Sequence, residues 1–445
     1  MVRHARSQEK SFTLTIRKNY YRIATHIQVA NRLSVVLGST LVVALAAQRL
    51  GVNEFALFLS IQSIVQLRLI ADSIGGGAIL GAISSSEEPD KSESITSVLY
   101  LYSCLALIVG ISSYIASRSL LINSPNLEDA AYLVPWCISV GLAFVIFFSG
   151  RTTTVEGYEK VVEAALLKLC LSGGYVLLVA VGLIVGLGVK SIPAGLSGSV
   201  LAWIACATYL GIPTLPKRKR LLCTPVANGQ RNKFKATKKR LLQFWPLQWR
   251  MILSWTGGYG MVYLPAPVLL LLGEPALSAS AGMSLQVLQA LAGLSLIPAA
   301  VRIPLLARSS LPWGVKVKIF SKARAVSILF YIFGICLTTA ILSTDVILSS
   351  AIGKKIPSTS SFVIYAVSFS GYLILYLESI KYRARAREPF WAFYLLYAFG
   401  SVSTLAYFGT LINHIQSATA FAGFTAFATI LLVAYSARLE RNEYS

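Results

Sequence analysis

Apolar residues along the chain fall into repeated stretches of about 20, separated by shorter polar segments. A helix of about 20 apolar residues is long enough to cross the hydrocarbon core of a bilayer. The pattern predicts twelve spans with approximate limits 27–48, 54–82, 95–117, 129–150, 161–188, 193–215, 241–272, 276–301, 325–348, 361–379, 390–411 and 415–437. We therefore expect an all-α integral membrane protein.

The composition supports this class, since only 13% of the 445 residues are charged and 55% are hydrophobic. Soluble globular chains carry roughly a quarter charged residues. The six cysteines have no CxxC spacing, and the histidines (His4, His26 and His414) are scattered. No P-loop, HExxH or Ser/His/Asp pattern is present. The sequence therefore predicts a non-enzyme without a cofactor or a metal site.

Lys and Arg residues are distributed unevenly between the two sides of the predicted bundle. Of the 40, 31 fall on the side that holds both termini, five fall in the opposite loops and four fall within spans. Loops on the cytoplasmic side carry the excess of these residues. Both termini are thus predicted to be cytoplasmic. The net charge of +22 is explained by anionic lipid head groups, without nucleic acid.

A basic segment at 216–240, with "KRKR" and "RNKFKATKKR", separates six spans from six. Leu50-Gly51 matches Leu272-Gly273, and "SIQ" at 60–62 matches "SLQ" at 284–286 with two extra residues between. A parallel repeat of this kind is typical of transporters with a binding site between the halves. The predicted organisation is a basic N-terminal segment, an N-lobe, a basic linker, a C-lobe and a cytoplasmic tail, at 1–26, 27–215, 216–240, 241–437 and 438–445.

Four cations, Arg32, Arg68, Lys168 and Arg250, lie within the predicted spans. A charge at a helix centre costs about 2.5 to 3.5 kcal/mol on insertion scales, so it usually faces the protein interior or a water-filled cavity. Arginine donates bidentate hydrogen bonds to phosphate. The functional hypothesis is a cavity in which these four residues bind an anionic head group.

Each cation also has an alternative interpretation. Arg68 and Asp72 are spaced i and i+4, so they could neutralise each other. Asp72 is also the best candidate for ion or proton coupling. The other three cations could extend to the inner membrane surface, as long basic side chains do near helix ends, and Arg250 could pair with another span. Three acidic residues are expected to be interfacial: Glu163, Asp345 and Glu378.

Polar side chains share one face of span 2, and span 8 repeats the pattern less strongly. The candidate sugar contacts are Gln62, Gln66, Trp249, Gln286 and Gln289. Tryptophan at a membrane boundary is usually an interface anchor, which is the alternative for Trp249. The Pro and Gly residues in "TGGYG" and "LPAP" of span 7 predict a broken or bent helix.

The stretch "NRLSVVLGSTLVVALAAQRLGVNEFALFLSIQSIVQLRLIAD" resembles the start of O-antigen and polysaccharide flippases of the multidrug/oligosaccharidyl-lipid/polysaccharide (MOP) exporter superfamily. In particular, "AQRLGVNEFALF" is similar to that family's short outer turn. The resemblance implies two six-helix lobes around a central cavity. It also implies that Arg32, Arg68 and Arg250 are cavity cations. Ala56 replaces the family's usual glycine, and "ADSIGGG" carries an unusual glycine run.

The function implied is alternating-access transport of undecaprenyl-pyrophosphate-linked oligosaccharide across the bacterial cytoplasmic membrane, with a polysaccharide polymerase as a candidate partner. A multidrug exporter of the same superfamily is the first alternative, although a cavity for cationic drugs should favour carboxylates. A membrane glycosyltransferase or polymerase is the second alternative.

Overall fold

The computed structural model describes residues 33–71, 88–122, 130–158, 160–212, 247–300, 313–344, 358–383, 387–411 and 414–444, with a few single residues between. Arg32, Asp72 and the predicted linker lie outside these ranges. The described helices, in chain order, are α1 (33–49), α2 (Val52–Val65), α3 (Glu88–Ile122), α4 (Ala130–Gly157), α5 (Val161–Val185), α6 (Ser191–Tyr209), α7 (247–263), α8 (Pro265–Leu271), α9 (Pro275–Ser295), α10 (Ile297–Ala300), α11 (Trp313–Leu342), α12 (Thr359–Arg383), α13 (Trp391–Leu411) and α14 (His414–Tyr444). One 3₁₀ turn, Gly188–Lys190, precedes α6.

Eleven helical stretches in the described ranges are long and apolar enough to cross a membrane. The all-α membrane fold is therefore confirmed. The predicted seventh span is divided into α7 and α8, with a break at Leu264. Pro265 follows the break; proline has no N–H and its ring clashes with the carbonyl four residues earlier. The break expected from the Pro and Gly content is confirmed.

The second span is also interrupted, although its sequence predicted one continuous helix over 54–82. Helix α2 ends at Val65, and helical structure resumes at 68–71 after a turn at Gln66 and Leu67. The amides of Leu67, Leu69 and Ile70 donate to the carbonyl oxygens three residues earlier at 2.9–3.1 Å. Such tightened turns inside a helix often mark functional hinges. The interruption directly precedes Arg68.

The buried residues in the described ranges form two hydrophobic clusters. One comes from residues between 42 and 212 together with Ala279, and the other comes from residues between 261 and 432. We call these parts the N-half and the C-half. Helix pairs α3/α4 and α5/α6 pack closely in the N-half, and α12 and α13 pack on α14 in the C-half. The lobe boundaries at 215 and 240 fall outside the described residues and stay predictions.

The two halves meet where α2 packs against α8 and α9, a contact that we call the seam. A Cβ atom added to Gly282 on α9 would lie 3.3 Å from a side-chain carbon of Leu59 on α2. The Tyr259 hydroxyl on α7 donates to the carbonyl oxygen of Ser63 at 3.0 Å. Helices α2 and α9 both start at one end of the bundle, which we call the Leu50 end. Helices α5 and α7 start at the other, the Arg250 end.

Candidate functional site

Arg68 lies at the seam, immediately after the interruption of α2, and its side chain is half-buried. Its guanidinium carbon lies 5.5 Å from the ring centroid of Tyr175 on α5. The Tyr175 hydroxyl donates a hydrogen bond to Oε1 of Gln62, which fixes the ring. On the C-half, Tyr259, whose hydroxyl donates to the carbonyl oxygen of Ser63, packs against Tyr263 at a ring-centroid distance of 5.5 Å. The cation is thus held by one aromatic ring of the N-half, close to the Tyr259–Ser63 contact between the halves.

No carboxylate in the described part of the chain forms an ion pair with Arg68. Its predicted partner Asp72 lies outside the described residues, so that pairing stays a prediction. Electrostatic attraction is stronger in a protein interior than in bulk water, because the effective dielectric constant is lower. The seam therefore holds a cation that is well placed to attract an anion.

Lys168 on α5 forms an ion pair with Glu156, and the two side chains are 41% and 15% exposed. Glu156 lies in the last turn of α4, which continues to Gly157. The sequence placed the end of this span near residue 150, so this partner was missed. The structure thus gives Lys168 a carboxylate of its own, unlike Arg68.

Arg250 is exposed near the start of α7, with its guanidinium carbon 5.4 Å from the ring centroid of Trp249. The Trp249 ring in turn packs edge-on against Trp391 of α13, at a centroid distance of 5.2 Å. Trp249 is therefore packed within the C-half. A contact of this ring with sugar stays a prediction.

The two glutamines of α9 face the seam. Gly282, Gln286, Gln289 and Gly293 lie on one helical face, because their spacings of four, seven and eleven residues return to nearly the same direction. A Cβ atom on Gly293 would lie 3.6 Å from Val36 of α1, so this face meets the N-half along its length. Nε2 of Gln286 and Oε1 of Gln289 are buried and have no hydrogen-bond partner within the described structure.

The structure thus divides the predicted site residues into groups. Gln62 and Arg68 meet around Tyr175, and Gln286 and Gln289 face the same seam. Gln66 is half-buried at the interruption of α2. Lys168 and Arg250 occupy separate contacts, and Arg32 lies outside the described residues.

A second arginine with aromatic neighbours, Arg383, was assigned from sequence to a cytoplasmic loop. In the structure it ends α12 with its side chain 15% exposed, and its Nε donates to Oε2 of the buried Glu388. Its guanidinium carbon lies 5.4, 5.6 and 5.7 Å from the ring centroids of Tyr394, Tyr376 and Trp255. Burial raises the pKa of Glu388, while Arg383 acts in the opposite direction. No local signal in the sequence indicates this pair.

Glu378, which was expected at the membrane interface, is buried within the C-half. The residue is 4% exposed, because three donors from the C-half surround its carboxylate. Arg324 of α11 donates at 2.7 Å, Lys381 of α12 lies at 2.9 Å and Ser436 of α14 donates at 3.0 Å. These contacts join three helices, so the carboxylate is a structural element of the C-half.

Comparison with known proteins identifies the fold. No protein-family model matches the chain, and no curated protein matches it in sequence. A structure of the lipid II flippase MurJ in an inward closed conformation aligns with 93% of this chain and 87% of its own, at a TM-score of 0.61 and 15% identity. An inward-facing multidrug resistance MATE transporter of the MOP superfamily aligns with 94% of this chain and 99% of its own, at a TM-score of 0.62 and 14% identity. The chain shares the fold of these two proteins.

The MATE transporter belongs to the superfamily that the first two spans resemble. At these identities the likeness describes the fold, and it does not separate flippases from drug exporters. Side chains at the seam between α2 and α8/α9 must therefore indicate the substrate.

Proposed function

We propose that the protein is a flippase that moves undecaprenyl-pyrophosphate-linked oligosaccharide across the bacterial cytoplasmic membrane by alternating access. The observation that carries the proposal is Arg68, a half-buried seam cation that no described carboxylate neutralises. The similar structure of a lipid II flippase supports a lipid-linked glycan as the substrate class.

The chemistry of the seam suits a pyrophosphate group. A guanidinium presents a planar set of donors that can bind two phosphate oxygens at once, and its charge complements theirs. The rigid Tyr175 ring holds the guanidinium in place before the anion arrives, so less side-chain entropy is lost on binding. In this proposal Arg32, Lys168 and Arg250 attract the head group towards Arg68.

The amides of Gln286 and Gln289 suit the glycan. A buried amide without a hydrogen bond costs about 1 to 3 kcal/mol, and both side chains carry such an atom at the seam. Sugar hydroxyls can donate to and accept from amides, so they would satisfy these groups once the halves part. Gln62 and Gln66 belong to the same proposed glycan surface, while the polyprenyl chain stays in lipid between the halves.

The distribution of Lys and Arg gives the proposed direction of transport. The Arg250 end carries the positive excess and is assigned to the cytoplasm, where it meets anionic lipids. The seam contacts of α2 with α8 and α9 then close the outer end. The substrate would enter from the cytoplasmic leaflet and leave at the Leu50 end, where a polysaccharide polymerase would receive it.

The test compares two arginines that both contact aromatic rings. Arg68→Ala removes the seam cation, whereas Arg118→Ala removes an exposed arginine whose guanidinium lies 6.0 Å from the Tyr114 ring and 5.8 Å from the Tyr132 ring. We expect Arg68→Ala to reduce translocation of a labelled undecaprenyl-pyrophosphate oligosaccharide in proteoliposomes at least tenfold, and Arg118→Ala to leave it unchanged. Equal translocation by both variants at equal protein level contradicts the proposal.

A multidrug exporter is the second candidate, favoured by the similarity to the MATE transporter. An exporter of cationic drugs should gain affinity when a seam cation is removed, because like charges repel. Faster efflux of a cationic dye by Arg68→Ala, together with no translocation of the lipid-linked glycan by the unmodified protein, would favour this candidate.

A further inference from the structure

Lys355 links the two halves at the Leu50 end. It belongs to the C-half, between α11 and α12, and its side-chain nitrogen donates to the carbonyl oxygens of Ala47, at 2.5 Å, and Leu50. The residue is only 9% exposed. The sequence placed it in an outer loop, so its burial against α1 was not expected.

The acceptors explain why a lysine lies there. Ala47 is in the last turn of α1, where main-chain carbonyls lack intrahelical N–H donors and the helix dipole places partial negative charge. An ammonium group supplies donors and positive charge together. Leu50 begins the short connection to α2, so the lysine also holds the loop that leads into α2 and, further along, to Arg68.

We propose that Lys355 is a latch that holds the Leu50 end of the seam closed and that must release Ala47 and Leu50 before this end can open. The inference rests on the proposed alternating-access function, for which it names the closing contact. Two other features of the seam also affect the stability of the closed state. The hydrogen bond from Tyr259 to Ser63 acts in the same direction as the latch, whereas the unpartnered amides of Gln286 and Gln289 oppose closure.

The latch is tested by measuring the distance across the Leu50 end without substrate. Spin labels are attached at Gly51→Cys and Leu272→Cys, which are exposed and lie on opposite halves, after replacement of the six native cysteines. Lys355→Met keeps the length of the side chain but removes its donors and charge. Because hydrogen bonds from charged groups are among the stronger ones, we expect the ratio of long to short distances to rise about tenfold or more.

Two control variants separate the latch from a general effect of charge. Lys355→Arg keeps donors and charge, so it should retain most of the short distances. Lys190→Met removes an exposed charge at the same end of the bundle and should leave the distribution unchanged. An unchanged distribution in Lys355→Met, or an equal shift in Lys190→Met, would overturn the latch.

Amine labelling of the unmodified protein, and its translocation activity, provide two further tests. In the unmodified protein, Lys355 should react with an amine-specific reagent at least tenfold more slowly than Lys190, even if Lys355→Met does not accumulate. Equal reaction rates would overturn the latch. A distance shift in Lys355→Met, combined with no translocation of the lipid-linked glycan by the unmodified protein, would support the latch and reject only the proposed substrate.

Discussion

Arg68 and Arg383 both lie over tyrosine rings, but their surroundings differ. Arg383 is packed within the C-half with its side chain 15% exposed, contacts three aromatic rings and is paired with the buried Glu388. Arg68 is half-buried at the seam, contacts one ring and has no ion-pair partner among the described carboxylates. Aromatic contact alone therefore does not mark a ligand site. The charge must also be left uncompensated and within reach of a ligand.

The largest expected effect concerns the Arg383–Glu388 pair, whose carboxylate is buried. Removing one partner of a buried ion pair leaves an uncompensated charge and typically costs about 3 to 5 kcal/mol. Arg383→Met and Glu388→Leu should each lower the thermal unfolding midpoint of the purified protein strongly, whereas the double variant should recover much of the loss. If Arg68→Ala destabilises the protein as much as Arg383→Met does, the distinction between the two arginines is wrong.

A second prediction uses lysine at both positions. Arg68→Lys keeps the charge but loses the planar fork, so we expect about tenfold weaker competition by a soluble prenyl pyrophosphate in the transport assay, since tenfold corresponds to about 1.4 kcal/mol. Folding should be unaffected. Arg383→Lys should instead lower the unfolding midpoint, because the ring contacts and the bond to Glu388 depend on guanidinium geometry. Unchanged competition in Arg68→Lys would show that charge alone is recognised.

The third prediction concerns the glutamines that share the seam with Arg68. Replacing Gln286 and Gln289 together by Leu removes unpartnered polar atoms, so the unfolding midpoint should rise by a few degrees. Transport of the lipid-linked glycan should fall several-fold. Ser199→Ala is the matched control, because the Ser199 hydroxyl on α6 is also buried without a partner and lies away from the seam. Normal transport by the double Leu variant would exclude these amides from glycan binding.

The smallest effect is expected at Lys168, whose side chain is 41% exposed and is paired with Glu156. Exposed ion pairs contribute about 0 to 1 kcal/mol, so Glu156→Gln should change the free energy of unfolding by less than about 1 kcal/mol. Lys168→Met should reduce transport less than Arg68→Ala does. A larger transport defect in Lys168→Met than in Arg68→Ala would indicate that the anion site lies nearer the Arg250 end than the seam.

The sequence predicted those parts of the fold that depend on local pattern. The apolar stretches predicted an all-α membrane protein, and Pro265 and Pro267 explain the broken seventh span. The interruption of α2 was missed because no proline or glycine lies between Val65 and Arg68. Only hydrogen bonding within the folded chain reveals the tightened turn there.

Several of the missed contacts depend on distant parts of the chain. Arg383 and Lys355 were assigned to loops by their position after or before an apolar stretch. Their burial depends on Trp255 and on the end of α1, respectively. Among the predicted site residues, the polar face of span 2 indicated Gln62 and Arg68 as neighbours, but nothing in the sequence indicated the Tyr175 ring that they share.

The apolar character of the seam has a consequence for what controls its opening. Ala279 joins the core of the N-half, and Leu270 and Met283 pack against it. In water, parting such surfaces would be opposed by the hydrophobic effect, but lipid chains are as apolar as leucine and can solvate both faces. Most of the resistance to opening in a bilayer is then left to close packing and to a few directed polar contacts. Lys355 can therefore contribute more to the free-energy difference between the closed and open states than the much larger apolar area beside it.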